Sequence, residues 1–230
     1  PILGHMLQGL KVDKNPIDIQ KPKSASLDIL FEDEHIIIIN KPHNFLSVPG
    51  KSESLSVELL LDRYVAPYTG PYLVHRLDFS TSGILIAAKT KTVHQLLQQQ
   101  FADKTIKKQY KAILEVCPTE QQGYIELPLR VDLDNRPQQL VCYTHGKPAK
   151  TFYKVIDTKN GQTRVHFSPI TGRTHQLRVH AAHQKGLNAP IVGDDLYGSP
   201  SDRLYLHAES ITFIHPIKKE LITFKSDSPF

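Results

Sequence analysis

Tryptophan is absent from this sequence, methionine occurs once, and cysteine occurs twice, as Cys117 and Cys142. Two distant thiols without a CxxC exclude a disulfide framework and a zinc ribbon. Each lies near an apolar or aromatic neighbour, so both are expected as reduced core or near-core residues of a cytoplasmic protein. No apolar run approaches the roughly 18 residues of a membrane-spanning helix, and the N-terminus lacks the apolar stretch of a secretory leader. Nucleotide-binding signatures are missing too. Neither GxxxxGK[ST] nor a strand-linked GxGxxG occurs, so a nucleotide-cofactor fold has no support. No GxSxG elbow announces a serine hydrolase. Histidine is plentiful, at 12 residues, yet no HExxH or CxxC completes a ligand set. His175, His180 and His183 therefore read as capping or nucleic-acid-facing groups, and no metal is expected.

What is present is ordinary globular composition. With 40% apolar and 22% charged residues, 12 glycines and 16 prolines, the chain is expected to fold over most of its length. Its 230 residues suffice for one large domain or two lobes that share a cleft. A net charge of +5 permits a polyanionic partner without demanding one. The placement of the bases says more than their total. Lys89, Lys91, Lys104, Lys107, Lys108, Lys111, Arg130, Arg136, Lys147, Lys150, Arg164, Arg173 and Arg178 recur through the middle of the chain. If half of them share a face, they make a surface that tracks phosphates; a merely solvated surface is the alternative.

Residues 1–26, with a poor apolar pattern, are expected as an N-terminal arm, leaving 27–230 as the principal domain. Ser26–Phe31 and His35–Asn40 read as strands, the second a β-branched run suited to a sheet centre and ended by Pro42. Ser54–Tyr64 carries a broad apolar helical face, with Ser54 or Ser56 as its cap. A second helix is expected over 92–102 from the spacing of Val93, Leu96, Leu97 and Phe101. The run 84–88 and the alternating run 106–116 read as strands. Two pairs follow, 124–129 with 139–143 and 149–156 with 162–168, around the turn candidates Asp134–Pro137, His145-Gly146 and Asn160-Gly161. Thr171 or Thr174 can cap a helix running to about Lys185, and 206–214 and 221–224 close the chain as strands. Strands paired in series predict an α+β fold: a mixed, largely antiparallel central sheet with flanking helices and a cleft between two lobes.

The densest polar stretch is His75-Arg76-Leu77-Asp78-Phe79-Ser80-Thr81-Ser82-Gly83, set directly before the apolar run 84–88. A buried strand behind a polar loop fixes what the loop presents. A Ser/Thr/Asp turn that caps the strand is the plainer reading. Its one embedded carboxylate, Asp78, has a second polar stretch to meet, Thr171-Gly172-Arg173-Thr174-His175-Gln176-Leu177-Arg178-Val179-His180. A carboxylate held by a guanidinium keeps a fixed orientation and can act as nucleophile, general base, or both in turn. A two-carboxylate glycosidase needs a second placed acid, for which Glu53, Glu58 and Asp62 are candidates only by abundance.

Together these motifs resemble the RluA family of pseudouridine synthases. His75-Arg76-Leu77-Asp78-x-x-Thr81-Ser82-Gly83 is similar to the family's catalytic signature. Asn40-Lys41-Pro42 with Leu46-Ser47-Val48-Pro49-Gly50 is similar to its entry strand and loop, Lys108-x-Tyr110-x-Ala112 to its second motif, and Thr171–His180 to its third. Pro190-Ile191-Val192-Gly193-Asp194-x-x-Tyr197-Gly198 and Leu206-His207-Ala208 extend the likeness, which spans roughly residues 27–226. Asp134-x-Arg136-Pro137, Val141-Cys142-Tyr143 and Gly146-Lys147-Pro148-Ala149-x-Thr151 are most similar to the small branch that modifies both 23S ribosomal RNA and the anticodon arm of transfer RNA and lacks an N-terminal S4 domain.

The resemblance implies an isomerase that turns uridine into pseudouridine in RNA stem-loops, with no cofactor or metal, in the cytoplasm and as a monomer. It makes Asp78 the essential residue, packs Tyr110 against the target base, and ion-pairs Arg178 with Asp78. Arg76 would enter the stem in place of the extruded base, a phosphate contact being its alternative. His75, Arg136, Lys147, Arg173 and His175 would take part in RNA binding. Three routes for Asp78 stay open: attack at C6 of the base, attack at C1′ of the sugar, or removal of the ribose 2′ proton. The competing classes are an RNA stem-loop-binding protein without catalysis and a glycoside-type hydrolase. The hydrolase predicts a second carboxylate a few ångströms from Asp78.

Overall fold

The aliphatic runs become the centre of a sheet in the computed structural model, which describes residues 26–51 and 55–230. The arm expected over 1–26, Ser26 apart, and the capping alternative Ser54 lie outside the described residues. In chain order the elements are β1 (Ile29–Glu32), β2 (Ile36–Lys41), α1 (Val57–Tyr64), β3 (Ser82–Ala88), α2 (Lys91–Ala102), β4 (Lys107–Leu114) and β5 (Gln122–Glu126). There follow β6 (Leu129–Val131), β7 (Gln139–Val141), β8 (Lys150–Lys159), β9 (Gln162–Pro169), α3 (Gln176–Ala182), β10 (Leu206–Ile214) and β11 (Leu221–Lys225). The main sheet runs β1-β2-β3-β10-β4-β9-β8-β5, with β11 paired to β10, while β6 and β7 form a small sheet of their own. Among the strands of the described residues, only β3 and β10 pair in parallel. The fold is α+β with a mixed, largely antiparallel sheet, as the serial strand pattern predicts.

The four isoleucines of β2 show how the sequence builds the first half. Side chains alternate along a strand, so Ile36 and Ile38 join Ile84, Ile86 and the α2 residues Val93 and Leu97 on one face. Ile37 and Ile39 join Leu85, Ala87 and the α1 residues Val57 and Leu61 on the other. None of the four is more than 1% exposed, and burying each contributes about 1.5–3 kcal/mol. The first helix begins on one of its two expected hydroxyl caps, and the second begins on a threonine to which the sequence pattern gives no role. Ser56 Oγ accepts the Leu59 N–H at 3.2 Å, and Thr90 Oγ1 accepts the Val93 N–H at 3.3 Å.

A third cluster fills the other half, with Leu114, Val165 and Phe167 of β4 and β9 packed against Leu177 and Ala181 of α3. Tyr110 on β4 touches this cluster and the α1 cluster alike, so it stands where the two halves meet. The parallel junction of β3 and β10 depends on Gly83. Its φ is +117°, and a Cβ there would lie 2.3 Å from the Ala208 carbonyl oxygen. That contact seats the Asp78 loop against the middle of the sheet.

Several expectations are corrected. Residues 122–126 pair with β8, and only 129–131 meets 139–141. Buried Ile125 and Leu127 hold β5 on the large sheet, while Pro128 removes a donor where the chain leaves it. The helix expected from Thr171 or Thr174 to Lys185 is only Gln176–Ala182. Thr171 Oγ1 instead accepts the Lys150 N–H at 2.9 Å and donates to Gln176 Oε1 at 2.7 Å. The helix ends because His183 is extended. Both cysteines are free as expected, but Cys117 is exposed and Cys142 half-buried. Each follows the end of a strand, outside the packed core.

Candidate active site

Asp78 lies in the loop that feeds β3, and the peptide groups on both sides of it are pinned. Ser47 Oγ accepts the Leu77 N–H at 3.1 Å and donates to the Leu77 carbonyl at 2.8 Å. The Phe79 carbonyl accepts from the Phe45 N–H and from Lys41 Nζ, both at 3.1 Å. Lys41 is fully buried at the end of β2. Its ammonium gives its other protons to the Pro42 and Phe45 carbonyls at 2.9 and 2.7 Å. Burial pushes this ammonium down to about 7 against the pull of the Asp78 charge. The Thr81 N–H closes the turn on the Asp78 carbonyl at 3.2 Å. The turn is real, and it serves as the seat of Asp78.

Two adjoining cavities of about 510 and 570 Å³ share Arg76, Leu77, Asp78, His175 and Arg178 as a common wall. The first is also lined by Tyr110, Lys108, Phe101 and residues 169–173. Asp78 is the only carboxylate among the described residues that line it. The second is bounded by Asn44 and residues 46–48 on one side and by residues 200–204 on the other. Its two further acids are engaged: Asp195 with Arg178 at 3.0 Å, and Asp202 with the Ser201 and Tyr205 hydroxyls at 3.0 and 3.1 Å.

Charge and burial tune the first cavity. Burial, and then the Asp78 charge, push the Tyr110 phenol up, so it carries its proton at neutral pH. Its hydroxyl has no hydrogen-bond partner among the described residues, which leaves it for a ligand. Lys108 is half-buried with no acidic partner among the described residues, and burial lowers its ammonium to about 8. Its Nζ lies 3.4 Å from where a Cβ on Gly172 would stand, so that glycine makes room for it. An ammonium without a counter-ion in a cavity wall suits an anionic ligand.

The direct ion pair expected between Arg178 and Asp78 is not formed. Arg178 donates from Nε to Asp194 Oδ2 at 2.9 Å and from Nη2 to Asp194 Oδ1 at 2.6 Å. Asp195 takes a further bond from Nη2 at 3.0 Å. Asp78 acts on Arg178 only through its field, which helps to raise the guanidinium. The physical reason is geometric. Asp194 follows the turn at Gly193, whose φ is +79°, and presents both oxygens to the planar fork.

Of the residues singled out from sequence, His75, Arg76, Asp78, Tyr110, Arg173, His175 and Arg178 all line the first cavity. Arg136 and Lys147 do not; both are exposed around the β6–β7 hairpin. His75 faces inward chemically, because its Nε2 accepts the Ile86 N–H at 3.0 Å. Burial and the Lys108 charge hold its imidazole down to about 3. It is a neutral wall residue whose ring lies 4.9 Å from that of Phe101, tilted by 30°. Arg173 is exposed, with Nε on the Pro148 carbonyl at 3.1 Å. Lys41, Ser47, Asp194 and Tyr197 belong to the motif stretches, but motif spacing alone gives them no role; their contacts do. Within the described residues no group of His, Cys, Asp and Glu is arranged to hold a metal ion, and no helix is long and apolar enough to cross a membrane.

A family model described as RNA pseudouridylate synthase matches residues 35–183, a span that contains Asp78, Tyr110 and Arg178. The chain is 43% identical to the dual-specificity RNA pseudouridine synthase RluA of Escherichia coli (strain K12), over 91% of this chain and 96% of that protein. It is 42% identical to the protein of the same name from Haemophilus ducreyi, over 93% and 99%. A solved structure of human RNA pseudouridylate synthase domain containing 1 aligns with a TM-score of 0.74 at 28% identity, covering 91% of this chain and 87% of that one. Human RNA pseudouridylate synthase domain containing 4 aligns at 0.70 and 25% identity, covering 87% and 88%. The chain belongs to the RNA pseudouridylate synthase family.

Proposed function

We propose that this protein isomerises specific uridines to pseudouridine in two kinds of RNA, the anticodon stem-loop of transfer RNA and a stem-loop of 23S ribosomal RNA. Residues 27–230 are the catalytic domain in this reading. One observation carries it furthest. A single carboxylate, Asp78, lines a cavity that also presents the free Tyr110 hydroxyl and the unpaired Lys108 ammonium. A hydrolase of the glycoside type lacks its second acid there. The dual-specificity name of the relatives supports the choice of two RNA classes.

The reaction breaks the N1–C1′ bond, turns the uracil and joins C5 to C1′. The C5 proton leaves to water and N1 gains one, so atoms and electrons balance without a cofactor. The uridine must first leave its stack, at a cost of about a few kcal/mol. Arg76, exposed in the wall common to both cavities, fills the vacated place with a planar guanidinium that stacks as well as bonds. Tyr110 supports the extruded base with its face. Asp78 then acts at C6, at C1′ or on the 2′ proton, and Arg178 supplies a positive field beside it. Arg136, Lys147, Arg173 and Lys108 meet phosphates. His75 and His175 complete the wall. The reading includes action in the cytoplasm and as a monomer, since one chain supplies every wall of the cleft.

Pseudouridine mapping of total RNA from cells with and without the gene tests this. Loss of signals in 23S ribosomal RNA and in transfer RNA anticodon stems is the expected result, and an unchanged map contradicts the reading.

A further inference from the structure

We propose that Tyr197 is a positioning residue for the reaction, one that locks His175 as a neutral imidazole with its proton on Nε2, the ring nitrogen without a hydrogen-bond partner among the described residues. The inference rests on the uridine-isomerising reading above and adds a role that motif spacing does not disclose.

The hydrogen bonds fix the direction of the lock. Tyr197 Oη accepts the backbone N–H of Gln139 at 2.7 Å and lies 2.7 Å from His175 Nδ1. Its own proton then has one acceptor among the described residues, which is that Nδ1. The opposite arrangement would point two donors at Oη and leave the phenol proton without a partner. A donor on Nδ1 requires Nδ1 to be unprotonated, so the ring proton resides on Nε2. Burial keeps the Tyr197 phenol protonated, pushed up to about 12. Burial likewise lowers His175, against the pull of Asp78.

Three further observations agree. His175 is buried yet lines both cavities that meet at Asp78. Its Nε2 has no hydrogen bond among the described residues. Its backbone is left-handed, with φ +53°, at the N-cap position just before α3, a conformation that persists in a non-glycine residue only where the surroundings enforce it. The Tyr197 ring supports the same corner, edge-on to His175 at 5.7 Å and 5.4 Å from the Arg178 guanidinium.

The chemistry gives such a donor a task. When the N1–C1′ bond breaks in the direction that leaves its electron pair on N1, the uracil carries negative charge over N1 and its carbonyl oxygens. A preorganised neutral N–H stabilises that charge by a hydrogen bond, with no proton transferred. Tyr197 keeps that donor from flipping to the other nitrogen.

Nitrogen NMR of the His175 imidazole in the resting wild-type protein reads the tautomer directly, and Nε2–H is expected. Tyr197→Phe keeps the ring and removes only the hydroxyl. It is expected to give a mixture of tautomers and to lower kcat by about tenfold with KM for RNA nearly unchanged. His175→Ala is expected to lose about a hundredfold, and the double variant no more than His175→Ala alone. A wild-type Nδ1–H tautomer, or additive losses in the double variant, overturns the proposal. The two readings fail differently: no pseudouridine with an Nε2–H tautomer counts against the function, whereas pseudouridine with an Nδ1–H tautomer counts against Tyr197.

Discussion

Arg178 and Asp194 close on each other in a two-pronged ion pair, with Arg178 3% and Asp194 0% exposed, and Asp78 stands outside it. A guanidinium committed in this way lends Asp78 a field without tying up its oxygens. The carboxylate that reacts and the carboxylate that balances the arginine are different residues.

The pair makes a prediction about stability. Asp194→Ala leaves a buried cation without its partner and is expected to cost about 3–5 kcal/mol. Asp195 touches the same nitrogen, but its side chain is 67% exposed, so Asp195→Ala is expected to cost under about 1 kcal/mol. Chemical denaturation of the two variants separates them, and equal losses contradict the assignment.

Lys41 is predicted to hold the reacting loop. Its three bonds to carbonyls include the Phe79 carbonyl next to Asp78. Lys41→Met fills the space but leaves buried acceptors unpaired, at a cost on the order of 3 kcal/mol. Turnover is expected to fall with little change in RNA affinity, because Lys41 is 0% exposed. Weakened RNA binding with unchanged turnover would show that Lys41 acts on the ligand instead.

Acid should destabilise the fold through its histidines. His75 accepts a backbone N–H on Nε2 and is held down to about 3, whereas an unfolded imidazole titrates near 6.5. Between those values the unfolded chain binds more protons than the native one, so stability falls as pH falls. His175, His180 and His207, all lowered chiefly by burial, add to the same slope. Calorimetry is expected to show Tm dropping from pH 7 to pH 5, and His75→Gln to flatten part of that drop. An identical slope in the variant would remove His75 from the account.

How much of this could be read in advance depends on the range of the forces involved. The β2 isoleucines, the Ser56 cap and the α+β class are local matters of periodicity and propensity, and they were legible. The partner of β5 was not, because adjacency suggests a hairpin while burial of Ile125 and Leu127 decides otherwise. Asp78, Tyr110 and Arg178 were identifiable from motifs, and the structure brings them to one cavity. The partner of Arg178 was not identifiable, since several acids compete and only the turn at Gly193 selects Asp194. Lys41 ran against expectation altogether, because lysine is rarely fully buried. Its place just after the four-isoleucine run of β2, in the Asn40-Lys41-Pro42 motif, was the available sign.

The role of Asp78 can be read directly at uracil C5. An RNA anticodon stem-loop with tritium at uracil C5 loses its label to water when C5 joins C1′ and gives up its proton. The wild-type protein is expected to release tritium and form pseudouridine. Asp78→Asn is expected to bind the same RNA with nearly unchanged affinity and release none. Tritium release by Asp78→Asn at the wild-type rate would contradict the account.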